Sequence, residues 1–329
     1  MFREAVIQPI QAAGSAEEVV GAIDAGIPVL ARDAREADSD SSPLRALLRA
    51  CRPRQWVKNV LVAAAPAAAG VLTHPAIAGE VALAFVCFCM LSSCTYLLND
   101  VHDRAEDARN PRRRARPIAS GELAVSVALL AAFALAAGGL LLAFAVSPVL
   151  AAVGAAYLAL TGSYTLWWRR VAVADIAAVA GGFVLRALAG GAATSVGISR
   201  WFLVVTSFGA LFLVTGKRYA ELRQGRAGVL ARASLHVYSE PYLRFVLVLA
   251  GAVTTMAYCL WALQRGGHAG LSWYELTIAP FVLWLLRYAL LLDQGAGQAP
   301  EELVLGDGFL LSMSAAWLAA FACGVYVGG

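Results

Sequence analysis

The run Asn99-Asp100-Val101-His102-Asp103-Arg104-Ala105-Glu106-Asp107 places Asp100, Asp103 and Asp107 at i, i+3 and i+7. On a continuous helix that spacing brings three carboxylates to one face. Like charges so close repel one another, and at the mouth of an apolar helix they are hard to hydrate, so a divalent cation is the natural counter-ion. Oxygen-only donors, with Asn99 assisting, favour magnesium (Mg2+) over zinc. Magnesium keeps several waters and binds through one or two carboxylates plus substrate phosphates, so the run predicts a phosphorylated ligand. The competing reading is a solvated acidic helix end paired with Arg104 and Arg109.

Cations follow at once: Arg112, Arg113, Arg114 and Arg116. The first three are explained as a signal for membrane orientation, whereas Arg116 precedes a Pro-stiffened turn and is expected to point at the ligand. A second polar stretch is Gly216-Lys217-Arg218-Tyr219-Ala220-Glu221-Leu222, with Lys217 and Glu221 one helical turn apart. With a single acid it reads as an anion clamp and not a second metal site, the alternative being a cytoplasmic anchor with its own salt bridge. Of 26 Lys plus Arg only Lys58 and Lys217 are lysines, and both fall in candidate ligand loops. In Arg52-Pro53-Arg54-Gln55-Trp56-Val57-Lys58-Asn59, a snorkelling anchor with an interfacial tryptophan explains Arg52, Arg54 and Trp56. Lys58 and Asn59 lie deeper and are the ligand candidates. Arg186, inside an apolar segment that begins near Asp175, must find an anion or a wet cavity; substrate contact and pairing with another helix both remain open. Tyr164 could hydrogen-bond a phosphate or sit as an ordinary interfacial tyrosine.

The elements that must hold these residues are membrane helices. The chain of 329 residues is 60% hydrophobic and 15% charged, with a mean hydropathy of +0.68, outside the range of soluble domains. A crossing needs about 20 mostly apolar residues, because lipid satisfies no backbone polar group. Nine apolar segments are predicted, near 56–73, 78–98, 122–146, 148–167, 172–193, 200–216, 241–264, 274–293 and 307–327. This is an all-α polytopic membrane protein. Arginines and lysines concentrate before segment one and after segments two, four and six, which puts those loops and the N-terminus in the cytoplasm. Residues 1–43 read as a cytoplasmic tail and 44–329 as the transmembrane catalytic domain. A cleaved signal peptide is not expected, since no basic n-region leads into an apolar run. The six cysteines lack metal-ligand spacing and read as packing residues. The net charge of +4 sits at segment ends, so it signals membrane orientation and anionic ligands, and no nucleic-acid partner is expected.

Asn-Asp-x-x-Asp-x-x-x-Asp after the second of nine spans, and a polar motif after the sixth, resemble the UbiA-type intramembrane prenyltransferases. Where that family usually carries a second aspartate-rich motif, this chain has Lys217-Arg218-Tyr219-Ala220-Glu221. Together with Arg52 to Asn59, Tyr96-Leu97-Leu98-Asn99-Asp100, Arg116-Pro117-Ile118-Ala119 and Ala189-Gly190-Gly191, this is similar to the branch of the family that transfers phosphoribosyl groups. The resemblance covers most of residues 50–329 and implies a UbiA-like bundle in the plasma membrane with its active site facing the cytoplasm. It further implies phosphoribosyl diphosphate as donor, decaprenyl or another polyprenyl phosphate as acceptor, magnesium as cofactor, and a role in cell-wall arabinan precursor synthesis. Asp100, Asp103, Asp107 and Lys217 are then the catalytic candidates. Lys58, Asn59, Asn99, Arg116, Tyr164, Arg186, Arg218, Tyr219 and Glu221 would contact substrate. Homo-oligomerisation is left open. The rival activities are prenyl transfer to a small aromatic acceptor, which wants a second acidic cluster, and a non-catalytic transporter or lipid-binding protein.

Overall fold

A computed structural model describes residues 42–111, 113–225, 237–265, 272–296 and 300–327. Nearly all of the tail assigned to 1–43 lies outside the described residues, as do Arg112, Arg226 and Arg232. Every regular element among the described residues is helical. A short amphipathic helix, α1 (Pro43–Cys51), is capped by Ser42, whose hydroxyl accepts from the Arg45 amide. An 11-residue 3-10 helix (Pro53–Ala63) and α2 (Ala64–Ala68) follow. Then come α3 (Pro75–His102), α4 (Arg104–Arg109), α5 (Pro117–Ser120), α6 (Val125–Val146) and α7 (Pro148–Leu166). A 3-10 turn at Trp168–Arg170 leads to α8 (Ala174–Thr194), α9 (Arg200–Gly225), α10 (Glu240–Arg265), α11 (Trp273–Leu276), α12 (Ile278–Asp293), α13 (Pro300–Gly306) and α14 (Gly308–Tyr326).

Eight helices among the described residues are long and apolar enough to cross a membrane: α3, α6, α7, α8, α9, α10, α11 joined to α12, and α14. Eight of the nine expected segments are therefore long helices. The first is not, and its sequence explains why. Pro53 and Pro66 remove backbone donors, and Arg52 turns left-handed (φ 55°, ψ 60°) before it. Proline also starts α3, α5 and α7 at N1, where its missing N–H would have no partner anyway. Ser147 caps α7 by accepting from the Val149 amide, which lets α6 and α7 turn back on each other within one residue. Asp307 caps α14 in the same way and also binds Arg287 at 2.8 Å, which holds its carboxyl below the usual carboxylate range.

Burial separates the helices by role. More than half of the spanning windows of α3 and α8 is buried, against a third or less for the others. On α6, Leu130, Phe133 and Leu141 are each over 70% exposed, as a lipid-facing helix should be. One end of α8 joins the core of α9, α10, α12 and α14 through Ile176 and Ala180. Its other end joins α3, α6 and α7 through Ala189 and Ala193. The two most buried spans thus carry Asp100, Asp175 and Arg186. The cysteines are all free thiols and four are buried, in keeping with packing; burial pushes the Cys51 thiol up.

Candidate active site

The carboxylates do not share one continuous helix as the spacing predicts. α3 ends at His102, Asp103 takes a bridge-region backbone (φ −90°, ψ 3°), and Asp107 belongs to α4. All three nonetheless turn inward, with Asp100 3%, Asp103 6% and Asp107 0% exposed. Buried carboxylates need compensation, and arginines supply it. Asp100 accepts from Arg52 at 2.5 Å and from Arg116 at 3.1 Å. Asp107 accepts from Arg116 at 2.6 Å and from Arg113 at 3.5 Å. Asp103 accepts from Arg169 at 2.5 Å and from the Asn99 amide at 3.3 Å. Arg116, fixed just before Pro117, bridges two of the three acids.

These groups wall a polar cavity of about 360 Å3 at the end of α3 and α7. Five arginines line it (Arg52, Arg113, Arg116, Arg169 and Arg170) but only two acids, Asp103 and Glu106, with Asn99 and Tyr164 completing the wall. With Asp100 and Asp107 behind the wall the five arginines face four acids, and so many guanidinium donors in a small concave site are suited to a polyanion. No three acidic, histidine or cysteine side chains among the described residues converge closely enough to cage an ion by themselves. The donor chemistry still fits magnesium: all oxygen, with one or two carboxylates within reach and room in the cavity for phosphates and water to complete the octahedron.

Behind Tyr164 lies a second, buried cluster. Arg218 donates to Asp175 at 3.1 Å, to Glu221 at 2.8 Å and to the Tyr164 hydroxyl at 3.4 Å. The Tyr238 hydroxyl donates to Asp175 and accepts from the Val173 amide. Burial and the bond to Asp175 push the Tyr238 phenol up, so it remains a neutral donor. The clamp expected between Lys217 and Glu221 thus has Arg218 as the arginine that meets Glu221. Lys217 and Lys58 are half-buried and do not line the cavity. Lys58 donates to Gln55 at 2.5 Å.

Three further candidates do not line the cavity. Tyr219 was expected beside the phosphates or ribose, but one residue advances a helix by about 100°, so it turns away from Arg218. Its hydroxyl meets Glu240, Asp293 and Arg244 at 3.0–3.3 Å, away from the cavity. Asn59 is fully buried, donating to Ser92 and accepting from Arg186. Arg186 also donates to the Tyr157 hydroxyl at 2.7 Å and to the Gly182 carbonyl at 2.9 Å, with its guanidinium over the Tyr157 ring. Of the two readings left open for Arg186, the structure shows pairing with neighbouring helices.

The residues missed by sequence reasoning are Arg52, Arg113, Arg169, Arg170, Glu106 and Asp175. All the arginines lie in loops whose positive charge is also what membrane orientation demands, so charge alone could not single them out.

The UbiA prenyltransferase family model matches residues 59–314. A decaprenyl-phosphate phosphoribosyltransferase of Corynebacterium glutamicum is 43% identical over 289 residues, covering 85% of this chain and 87% of that protein. One of Mycobacterium tuberculosis is 41% identical over 287 residues, covering 86% of this chain and 95% of that protein. Among solved structures, a UbiA homolog from Archaeoglobus fulgidus bound to DMAPP and Mg2+ superposes with a TM-score of 0.65 at 17% identity, covering 85% of this chain and 98% of that one. That last likeness concerns the fold.

Proposed function

The chain belongs to the UbiA prenyltransferase family, and from that premise we propose that it transfers the 5-phosphoribosyl group of phosphoribosyl diphosphate to decaprenyl or another polyprenyl phosphate. One observation carries the reading: the acidic run opens through Asn99, Asp103 and Glu106 on an arginine-rich cavity, and behind Tyr164 at its wall stand Arg218 and Glu221 in place of further aspartates. An enzyme that joins two phosphorylated substrates has to neutralise both, and five arginines around one cavity supply that charge. The close relatives of that name, which match over most of their length, support the same choice.

Magnesium, held by Asp103 and Asn99 at the cavity wall with Asp100 and Asp107 behind, would act as a Lewis acid for the diphosphate leaving group. The chain's own part is to bind and orient. Arg116 holds Asp100 and Asp107 through one guanidinium nitrogen and itself lines the cavity. Tyr164, anchored by Arg218, offers a hydroxyl to a phosphate oxygen or a ribose hydroxyl. The bond from C1 of ribose to the diphosphate oxygen breaks, its electron pair leaves with diphosphate, and a lipid phosphate oxygen forms the new bond. By analogy with glycosyl transfer the transition state resembles an oxocarbenium ion, and a single displacement inverts C1. The nucleophile is a phosphate monoester with a second pKa near 6, already anionic at pH 7, so no general base is required. The reading further places the protein in the plasma membrane with this cavity facing the cytoplasm, in cell-wall arabinan precursor synthesis.

Purified protein given radiolabelled phosphoribosyl diphosphate, magnesium and polyprenyl phosphate should form a labelled lipid, and Asp103→Asn should lower turnover by at least about 100-fold (~3 kcal/mol) while still folding in detergent. Absence of product, or product only from a prenyl diphosphate and an aromatic acid, would overturn the reading.

A further inference from the structure

Each of the three buried carboxylates already has an arginine, so a cation can reach them only if some guanidinium gives way. The three pairings are unequal. Arg116 bridges Asp100 and Asp107 and is pinned by Pro117. Arg52 is held twice, by Asp100 and by the Tyr96 ring 5.1 Å from its guanidinium. Among the described residues Asp103 has a single arginine, Arg169, whereas Asp100 and Asp107 each have two, so one displacement frees Asp103. Arg169 is also the arginine whose loss of position the local backbone resists least. It stands on the three-residue 3-10 turn Trp168–Arg170, and beyond one oxygen of Asp103 its contact is a 3.5 Å approach to Glu106, whose side chain is 64% exposed. Asp103 and Arg169 both line the cavity, with Arg170 beside them.

We propose that Arg169 is an exchangeable counter-ion: it neutralises Asp103 when the cavity holds no substrate, and on substrate entry it yields Asp103 to the divalent cation and moves its guanidinium onto a phosphate group. The proposal rests on the reading of the site as a magnesium-phosphate site. Its physical content is a coupling between two ligands of opposite charge. The cation alone must displace Arg169 into a cavity already rich in arginine, which is unfavourable. An anion alone meets an Arg169 engaged by Asp103. Together, each ligand supplies the partner that the other has displaced, so each raises the other's affinity, reciprocally. Arg170, on the same turn, would move with it. A phosphate monoester from either substrate, ribose 5-phosphate or a lipid phosphate, has the chemistry Arg169 would take.

The test is binding to the full-length protein in detergent by isothermal titration calorimetry, with Mg2+ alone, inorganic diphosphate alone, and each in the presence of the other. Wild type should show Mg2+ and diphosphate strengthening each other by about tenfold or more. In Arg169→Met, Mg2+ alone should bind several-fold tighter, diphosphate should bind weaker, and the mutual enhancement should fall several-fold, to the part that direct contact between Mg2+ and diphosphate supplies. Arg169→Lys, which restores a movable cation, should return Mg2+ affinity to the wild-type level. A residue that only supports the fold would weaken both ligands and lower the melting temperature; an arginine that only binds phosphate would leave Mg2+ affinity unchanged. Either result overturns the exchange. Titration with ribose 5-phosphate and with farnesyl phosphate tells which monoester loses affinity in Arg169→Met, and loss for neither also overturns it. If the coupling is present while no labelled lipid forms, the exchange stands and the phosphoribosyl reading falls. Wild type that binds neither Mg2+ nor diphosphate removes both.

Discussion

Arg52 holds a left-handed backbone (φ 55°, ψ 60°) at the end of α1, a conformation that costs an L-residue about 1 kcal/mol and that glycine would adopt freely. The chain keeps arginine there, and the guanidinium reaches Asp100 across 48 residues of sequence. That is the signature of a side chain retained for the site at the backbone's expense. Arg52→Gly should therefore leave the melting temperature in detergent unchanged or slightly raised, since Asp100 keeps Arg116. The apparent Michaelis constant for the phosphoribosyl donor should rise about tenfold, the equivalent of ~1.4 kcal/mol of lost binding. A fall in stability with unchanged kinetics would return Arg52 to the anchoring role that its sequence suggests. At this scale the acidic run was legible, because carboxylates at a membrane edge have few structural uses. Arg52 and Arg169 were not, because an arginine at the cytoplasmic end of a span has an ordinary explanation. Tyr219 was over-read for the opposite reason: adjacency in sequence to Arg218 is divergence on a helix.

Among the elements, the 3-10 segment before α2 departs most from the pattern of apolar spans, and α8 is what holds it. Runs of 3-10 helix beyond three or four residues are uncommon because their hydrogen bonds are poorly aligned, so an 11-residue run must be held from outside. Asn59 ties it to α3 through Ser92 and to α8 through Arg186. Gly190 lets the two backbones touch: a methyl at its Cβ position would lie 1.8 Å from the Val62 carbonyl oxygen and 3.0 Å from Pro66. The Ala189-Gly190-Gly191 motif in α8 is thus a contact surface for this segment. An alanine in mid-helix ordinarily gains about 1 kcal/mol over glycine. Here Gly190→Ala must push backbone from backbone, so it should lower the melting temperature by several degrees and reduce the yield of folded protein. Gly162→Ala, with open space at its Cβ position, is the control and should be neutral or stabilising. Hydropathy located this segment as apolar but could not report its geometry, since two prolines in an alanine- and valine-rich run leave the total hydropathy high. The length of α3, by contrast, followed from its uninterrupted apolar pattern. Its end at His102 did not, because no glycine or proline marks the break.

Over the whole molecule, polar chemistry is concentrated at one end of the bundle. The cavity is built from the ends of α3 and α7, α4, the approach to α5 and the turn before α8. The opposite ends of the spans offer Arg200 and Arg265 and little other charge. Under the positive-inside rule an asymmetry of this size argues for this end in the cytoplasm, because arginine-rich loops resist translocation. It also meets a chemical need, since a polyanionic donor that cannot cross lipid must find its site on the side where it is made. In the proposed reaction the lipid acceptor would come to the same site from within the bilayer, whose hydrocarbon suits helices such as α6 with exposed apolar faces. One topology thus serves both substrates, and it can be tested without any assay of turnover. Ala108, exposed on α4, and Thr73, exposed before α3, lie on opposite sides in this arrangement. Four of the six native cysteines are buried, leaving little background for a thiol label. In intact cells a membrane-impermeant maleimide should therefore modify Thr73→Cys and leave Ala108→Cys unmodified until the membrane is opened. Labelling of Ala108→Cys in sealed cells would place the arginine cavity outside, where a cytoplasmic phosphoribosyl donor could not reach it.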